Sequence, residues 1–139
     1  YLTSIQLIFQ GMANLLKYFI FKSLYIHLKS IMNYLFICSA NKQRSKTAED
    51  YFAKNHPEHK FRSAGTNIKI CRKEGTTELT EELLEWADKA YVMEKKHFDQ
   101  IKKHTGSTYY SKITVLHIPD VYQYYDKALL RILDERIML

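Results

Sequence analysis

A short apolar run followed at once by a polar, cysteine-containing stretch most strongly constrains how this chain can fold. Residues 34–37 read Tyr-Leu-Phe-Ile, and residues 38–45 read Cys-Ser-Ala-Asn-Lys-Gln-Arg-Ser. The residues that come next, up to about Asn55, have the apolar spacing of a helix. The sequence therefore predicts a strand over Asn33–Ile37, a loop, and a helix that starts near Ser45 with that serine as its N-cap.

Strands and helices continue to alternate along the rest of the chain. Such alternation predicts a parallel sheet covered by helices on both faces. A polar loop is expected over residues 67–76. The remaining predicted strands are residues 60–63, 89–93 and 113–118, and the remaining predicted helices are residues 80–87, 95–104 and 126–138.

The first 31 residues differ from the remainder. Apolar residues at helical spacing predict one amphipathic helix there, running on towards Leu28, and lysines interrupt it too early for a membrane-spanning helix. Because Met32 stands just before the first predicted strand, we interpret residues 1–31 as an extension outside the functional domain, residues 32–139. The alternatives are packing of the extension on that domain or on a second copy of the chain, and contact with a membrane surface.

Charge and cysteine content narrow the function classes. The chain has 21 Lys and Arg against 15 Asp and Glu; residues 1–31 hold three of the lysines and no acid, which leaves +3 on residues 32–139. This weak positive bias does not predict nucleic-acid binding, but it favours anionic substrates. With two cysteines and no secretory signal pattern, we expect a cytoplasmic protein with free thiols. No histidine spacing predicts a metal site, and no cofactor is expected.

The cysteine-containing loop has the composition of a phosphate-binding site with a nucleophile at its base. Backbone N–H groups of the loop, together with the N-terminus of the following helix, can surround a phosphoryl group. Arg44 can bind two of its oxygens with a planar guanidinium, and the same positive field favours a thiolate at Cys38. Ser45 could donate a hydrogen bond to that sulfur, and Asn41 could hold the loop in shape. The other expected substrate contacts are Ser39, Ala40, Lys42 and Gln43.

An acid at the same edge of the sheet completes this prediction. Asp120 follows the fourth predicted strand and Cys38 follows the first, so both lie at carboxyl ends of parallel strands. A thiolate can attack phosphorus to form a cysteinyl-phosphate, while a carboxylic acid protonates the leaving oxygen and later activates water. We therefore predict a cysteine-dependent phosphomonoesterase with Cys38, Arg44 and Asp120 as catalytic residues.

These residues and their neighbours resemble the low-molecular-weight protein tyrosine phosphatases. Residues 38–45 are similar to the signature loop of that family, and the likeness continues in the same order to about residue 139. The pattern is most like the short bacterial branch of predicted tyrosine phosphatases. The other matching segments are Thr47-Ala48-Glu49, Arg62-Ser63-Ala64-Gly65-Thr66, Trp86-Ala87-Asp88, Val92-Met93 and Ile118-Pro119-Asp120 with Tyr122.

The resemblance implies a three-layer α/β/α sandwich around a four-stranded parallel sheet, and a protein tyrosine phosphatase without metal or cofactor. It makes Cys38 the nucleophile and Asp120 the general acid and base, and it places Tyr122 at the entrance against an aromatic substrate. The expected partner is a phosphorylated protein or a small aryl phosphate. The sequence departs from the family at Gln43, where a second loop cysteine is usual, and at Val121, where proline is usual.

Two other functions fit the same loop. An arsenate reductase would need a further thiol, and Cys71, predicted in the exposed polar loop, is the available one. A non-catalytic phosphate-binding module would keep the loop but lack an effective acid at Asp120. Arsenate turnover that depends on Cys71 would indicate the first, and phosphate binding without turnover would indicate the second.

Overall fold

The chain divides after Ile31 into two compact units. The structure is a computed structural model that describes residues 3–139, without the side chains of Leu28 and Lys29. Each unit is described by itself.

The first unit contains two helices, α1 (Ser4–Gln10) and α2 (Asn14–Ser30), where the sequence predicted a single helix. That prediction is wrong because Gly11, a poor helix former, caps the end of α1. Large apolar side chains on both helices are more than half exposed, among them Ile5 and Phe19. Among the described residues, no helix has the combined length and hydropathy of a membrane span.

The second unit is built on a four-stranded sheet in which all neighbouring strands run parallel, in the order β2-β1-β3-β4. The carboxyl ends of the strands therefore meet at one edge, where Cys38 pairs with Gly65 in register. The strands are β1 (Asn33–Cys38), β2 (Lys60–Gly65), β3 (Lys89–Val92) and β4 (Ile113–Val115).

Helices cover both faces of this sheet because side chains alternate between the faces along each strand. Phe36 of β1 packs in a buried cluster with residues of α3 and α7, whereas Leu35 and Ile37 pack in a second cluster with residues of α5 and α6. This arrangement confirms the predicted three-layer α/β/α sandwich. The helices of the second unit are α3 (Arg44–Asn55), α4 (Ile68–Glu74), α5 (Glu81–Trp86), α6 (Lys95–Thr105) and α7 (Lys127–Arg136).

The polar loop predicted over residues 67–76 is wrong, because helix α4 occupies most of it. The side chain of Asn67 caps the helix by accepting a hydrogen bond from the N–H of Ile70, and Gly75 ends it with a φ of 69°. Cys71, expected to be exposed, is fully buried on its inner face. A polar helix of seven residues is too short for its apolar spacing to be recognised.

Two boundaries also differ from the prediction. Helix α3 begins at Arg44 with Gln43 as N-cap, so Ser45 is not the cap and its hydroxyl is turned towards Cys38 instead. Strand β4 ends at Val115 and not at Ile118. It stops there because His117 has a φ of 55°, which a regular strand does not allow.

Candidate active site

The cysteine loop, residues Cys38–Arg44, joins the carboxyl end of β1 to the first turn of α3. A pocket of about 160 Å³ lies over it, lined by every residue of the loop except Asn41 and, from across the pocket, by Asp120. Cys38 is only 3% exposed at the base. The three predicted catalytic residues, Cys38, Arg44 and Asp120, therefore surround one pocket.

A chain of hydrogen bonds with a defined direction leads to the Cys38 sulfur. The N–H of Thr77 donates to Oδ1 of Asn41 at 3.2 Å, so the amide nitrogen of Asn41 faces Ser45 and donates to its Oγ at 2.9 Å. Because Ser45 Oγ accepts that bond, its own proton is free to donate to the Cys38 Sγ, 3.0 Å away. Such a donor stabilises a thiolate.

Asn41 also sets the shape of the cysteine loop. Its φ of 53° lies in the left-handed region, which asparagine tolerates better than most residues. The side chain is buried and bonded at both ends of its amide. The structure thus places Asn41 where the sequence predicted a shaping residue.

Arg44 is held at the pocket wall by three partners. Although its side chain is almost fully buried, Nη1 donates to the carbonyl oxygen of Ile118 at 2.8 Å and to the carboxylate of Glu94. Nε lies 3.4 Å from Oδ1 of Asp120. A buried guanidinium needs such partners, and these contacts fix its orientation in the wall of the pocket that Cys38 also lines.

Sequence reasoning missed Glu94, although a usable signal was present. Glu94 follows β3 just as Asp120 follows β4, so the same rule about carboxyl ends of strands places it at the edge of the sheet that carries the cysteine loop. Partial burial works to raise the pKa of Glu94, but the hydrogen bond and charge of Arg44 outweigh it and lower the pKa below its usual value. Glu94 is therefore an anionic anchor for Arg44.

Asp120 lies in the loop that follows β4, and its side chain is 63% exposed. Two contacts fasten this loop. Arg136 of α7 donates to the carbonyl oxygens of Leu116 and His117, each at 2.6 Å, and the N–H of Tyr125 donates to Oγ1 of Thr47 at 2.9 Å. The acid loop is thus tethered on both sides of Asp120.

The underside of the cysteine loop rests on residues 65–77. The N–H groups of Thr66 and Asn67 donate to the carbonyl oxygens of Cys38 and Ser39 at 2.9 and 3.0 Å. Farther along, the hydroxyl of Thr76 donates to the carbonyl oxygen of Ala40. These bonds satisfy three consecutive carbonyl groups of the loop and hold its backbone against residues 65–77.

The remaining predicted site residues occupy different positions. Lys42 lies at the rim, with Nζ 2.9 Å from the carboxylate of Glu74, and the amide of Gln43 is 3.5 Å from that of Gln123. Tyr122 does not line the pocket; it is partly buried against the hydrophobic cluster of Phe36. Its expected contact with substrate therefore lacks support from the geometry.

The described residues contain no group of three or more His, Cys, Asp or Glu side chains that could hold a metal ion. Of the two cysteines, only Cys38 lines the pocket, and the Sγ of Cys71 lies beneath the loop, 3.7 Å from the carbonyl oxygen of Ser39. The pocket brings together one thiol, one guanidinium and one carboxyl group, and Ser39, Lys42 and Gln43 add polar side chains to its lining.

The second unit thus combines a parallel sheet in the order β2-β1-β3-β4 with a cysteine loop after its first strand and an acid after its last. Neither a protein-family model nor a curated protein sequence matches the chain. Solved structures do match it.

Three of these structures illustrate the range of sequence identity and structural similarity. The tyrosine phosphatase Wzb from Escherichia coli K30, in complex with sulphate, is 26% identical, with a TM-score of 0.57 and coverage of 75% of this chain and 90% of that one. Wzb from Vibrio vulnificus, in complex with benzylphosphonate, is 22% identical, with a TM-score of 0.62 and coverage of 77% and 94%. The YwlE arginine phosphatase from Geobacillus stearothermophilus is 19% identical, with a TM-score of 0.52 and coverage of 76% and 83%.

The match spans most of each of these proteins and about three quarters of this chain. The resemblance found in the sequence is therefore confirmed: the chain has the fold of the low-molecular-weight tyrosine phosphatases.

Proposed function

We propose that this protein is a cysteine-dependent phosphomonoesterase that hydrolyses aryl phosphates, with phosphotyrosine in proteins as the main substrate class. One observation carries the proposal. The thiol of Cys38, the guanidinium of Arg44 and the carboxyl group of Asp120 line the same pocket, and a hydroxyl donor is directed at the sulfur. The structural neighbours described as tyrosine phosphatases support the same reaction class.

In the first step the substrate phosphoryl group lies in the cysteine loop, bound by loop N–H groups and by Arg44. The Cys38 thiolate attacks phosphorus in line, so that a phosphorus–sulfur bond forms as the ester phosphorus–oxygen bond breaks. Asp120, in its protonated form, gives its proton to the leaving phenoxide oxygen. The exposed position of Asp120 at the pocket mouth is where a leaving group would depart.

In the second step the Asp120 carboxylate accepts a proton from a water molecule, whose oxygen attacks phosphorus. The phosphorus–sulfur bond breaks, and the sulfur leaves as a thiolate that the hydroxyl of Ser45 stabilises. Inorganic phosphate is released and Asp120 is protonated again. No metal or organic cofactor takes part in the proposed cycle.

The proposed reaction favours aryl esters over alkyl esters because of their leaving groups. A phenoxide is a far better leaving group than an alkoxide, so a single carboxylic acid is enough to assist it. The mouth near Asp120 is open, which suits a side chain presented by another protein as well as a small aryl phosphate.

The test is to change Cys38→Ser and follow hydrolysis of phenyl phosphate and of a phosphotyrosine peptide. We expect hydrolysis to be abolished while inorganic phosphate still raises the melting temperature, because the loop N–H groups and Arg44 remain. In the unchanged protein, acid quenching during turnover should leave phosphate covalently attached to Cys38, detected by mass spectrometry of peptides.

Cys71→Ser is the matched control. Its hydroxyl can replace the Sγ beneath the loop, so turnover and phosphate attachment at Cys38 should persist. Phosphate binding without any turnover would contradict the proposal and support a binding module. Arsenate reduction that disappears with Cys71→Ser would also contradict it and support a reductase.

A further inference from the structure

His97 forms a second side-chain contact to the cysteine loop, through Ser39. It lies in the first turn of α6 and is fully buried. Its Nδ1 is 3.0 Å from the backbone nitrogen of Glu94, and its Nε2 is 2.9 Å from Oγ of Ser39. The imidazole thus connects the end of β3 to the residue after Cys38.

The partners of the ring determine where its proton lies. A backbone N–H can only donate, so the N–H of Glu94 requires a lone pair on Nδ1 of His97. In the neutral ring the proton is then on Nε2, which donates to Oγ of Ser39. Burial, together with the nearby charge of Arg44, lowers the pKa of His97 to about 4, so the ring is neutral at physiological pH.

Ser39 is consequently left with a proton that cannot point at His97. Its Oγ already accepts from Nε2, so the hydroxyl must donate in another direction. Ser39 lines the same pocket as Cys38 and Arg44. The acceptors expected in that pocket are the oxygens of a phosphoryl group.

We propose that the Ser39 hydroxyl donates a hydrogen bond to a phosphoryl oxygen, and that His97 is the positioning residue that directs it there. The inference takes its ligand, a phosphoryl group, from the proposed function. It adds a hydrogen bond from a side chain, and the backbone N–H groups of the loop can bind phosphate without that bond. The two serines then donate to different atoms: Ser45 donates to the Cys38 sulfur, and Ser39 donates to the phosphoryl oxygens.

The experiment measures binding of inorganic phosphate and of vanadate by calorimetry, alongside kcat/KM for phenyl phosphate. Ser39→Ala should weaken phosphate binding roughly 10- to 100-fold, since a hydrogen bond to a charged group is lost. Ser39→Thr keeps the hydroxyl and should retain most of the affinity. Equal phosphate affinity in Ser39→Ala and the unchanged protein would overturn the proposal.

The part played by His97 is tested by a double-mutant cycle with His97→Gln. A glutamine three residues into a helix can still accept from the N-cap N–H, so α6 should keep its start. We expect His97→Gln to weaken phosphate binding when residue 39 is serine and to have little further effect in Ser39→Ala. A purely structural role would give the same loss in both backgrounds and would overturn the assignment.

His104→Gln is the matched control, since His104 is an exposed histidine on the same helix. It should leave phosphate affinity unchanged. The outcomes also separate this inference from the proposed function. A protein that binds phosphate through Ser39 but hydrolyses no ester would contradict only the phosphatase, whereas turnover that is insensitive to Ser39→Ala would contradict only the inference.

Discussion

At the scale of single residues, the site is organised by charge. The buried guanidinium of Arg44 shares its positive charge between the carboxylates of Glu94 and Asp120, and these carboxylates differ in surroundings. Glu94 is partly buried and has a lowered pKa, whereas Asp120 is mostly exposed at the pocket mouth. This contrast supports the proposed roles, in which Glu94 anchors Arg44 and Asp120 transfers the proton.

Removing the acid should slow the reaction without disrupting the site. We expect Asp120→Ala to lower kcat for phenyl phosphate by roughly 10²–10⁴, the usual contribution of a general acid. The loss should be smaller for p-nitrophenyl phosphate, because its leaving group needs less protonation. Steady-state kinetics on both substrates check this.

Asp99→Ala is the control for that change, because Asp99 is an exposed aspartate whose ion pair is with Lys95 on the surface of α6. It should leave both rates unaltered. Equal rates for Asp120→Ala and the unchanged protein on phenyl phosphate would mean that another group supplies the proton.

At the scale of elements, the cysteine loop depends on the segment from Gly65 to Thr77. Strand β2 ends at Gly65 directly beside Cys38, and α4 then packs Cys71 beneath the loop. A Cβ added at Gly65 would lie 2.5 Å from both the Cys71 Sγ and the carbonyl oxygen of Ser39, and 3.0 Å from the nitrogen of Asn41. Glycine is therefore required by close approach of backbone to backbone.

Gly65→Ala should displace the loop and reduce both stability and turnover. Overpacking of this kind costs about 1–3 kcal/mol of unfolding free energy. Chemical denaturation and phenyl phosphate kinetics measure the two effects. Gly11→Ala is a suitable control, because a Cβ there meets only the carbonyl oxygen of Ile8 at 3.8 Å, and a result equal to that control would refute the steric argument.

The buried His97 in α6 should make the free energy of unfolding depend on pH. The pKa of His97 is about 4 in the folded chain, against an ordinary value of 6.5 for an exposed histidine. Between about pH 4 and pH 6.5, the unfolded chain therefore binds a proton at His97 that the folded chain does not bind. The contribution of His97 to the free energy of unfolding is fully present above about pH 6.5 and is lost as the pH falls towards 4.

Urea denaturation between pH 7 and pH 4 tests the role of His97. We expect the unfolding free energy of His97→Gln to fall less steeply with acidification than that of the unchanged protein. His104→Gln should follow the unchanged protein. Identical slopes for all three proteins would show that His97 titrates normally when folded.

Much of the fold could be predicted from the sequence, because short apolar segments alternate with segments of helical spacing along residues 32–139. The residues of the cysteine loop and Asp120 were also found, since each follows a strand. What the sequence concealed depends on contacts between distant residues. The position of Glu94 after β3 could have been used, but nothing local marks its pairing with Arg44 or the pairing of His97 with Ser39. Helix α4 is too short and polar to be distinguished from a loop.

At the scale of the whole molecule, the two units differ in how far their apolar side chains are buried. The second unit has two buried clusters of its own, one on each face of the sheet, and it contains every residue of the pocket. The first unit exposes most of its large apolar side chains. We propose that the catalytic domain is residues 32–139 and that residues 1–31 are an extension to it.

The fragment 32–139 should therefore fold alone and hydrolyse phenyl phosphate with unchanged kcat/KM, because a domain with its own core is independent. Melting curves and kinetics of the fragment and the full chain provide the comparison. If the fragment folds but hydrolyses phenyl phosphate more slowly than the full chain does, residues 1–31 contribute to the reaction.

The pairing of Arg44 with two carboxylates has a consequence for the release of product. A dianion that enters the pocket meets a guanidinium whose charge is already balanced, so it must compete with Glu94 and Asp120 for the same N–H groups. In the proposed reaction, this competition is expected to weaken the binding of inorganic phosphate and so to favour its release after hydrolysis.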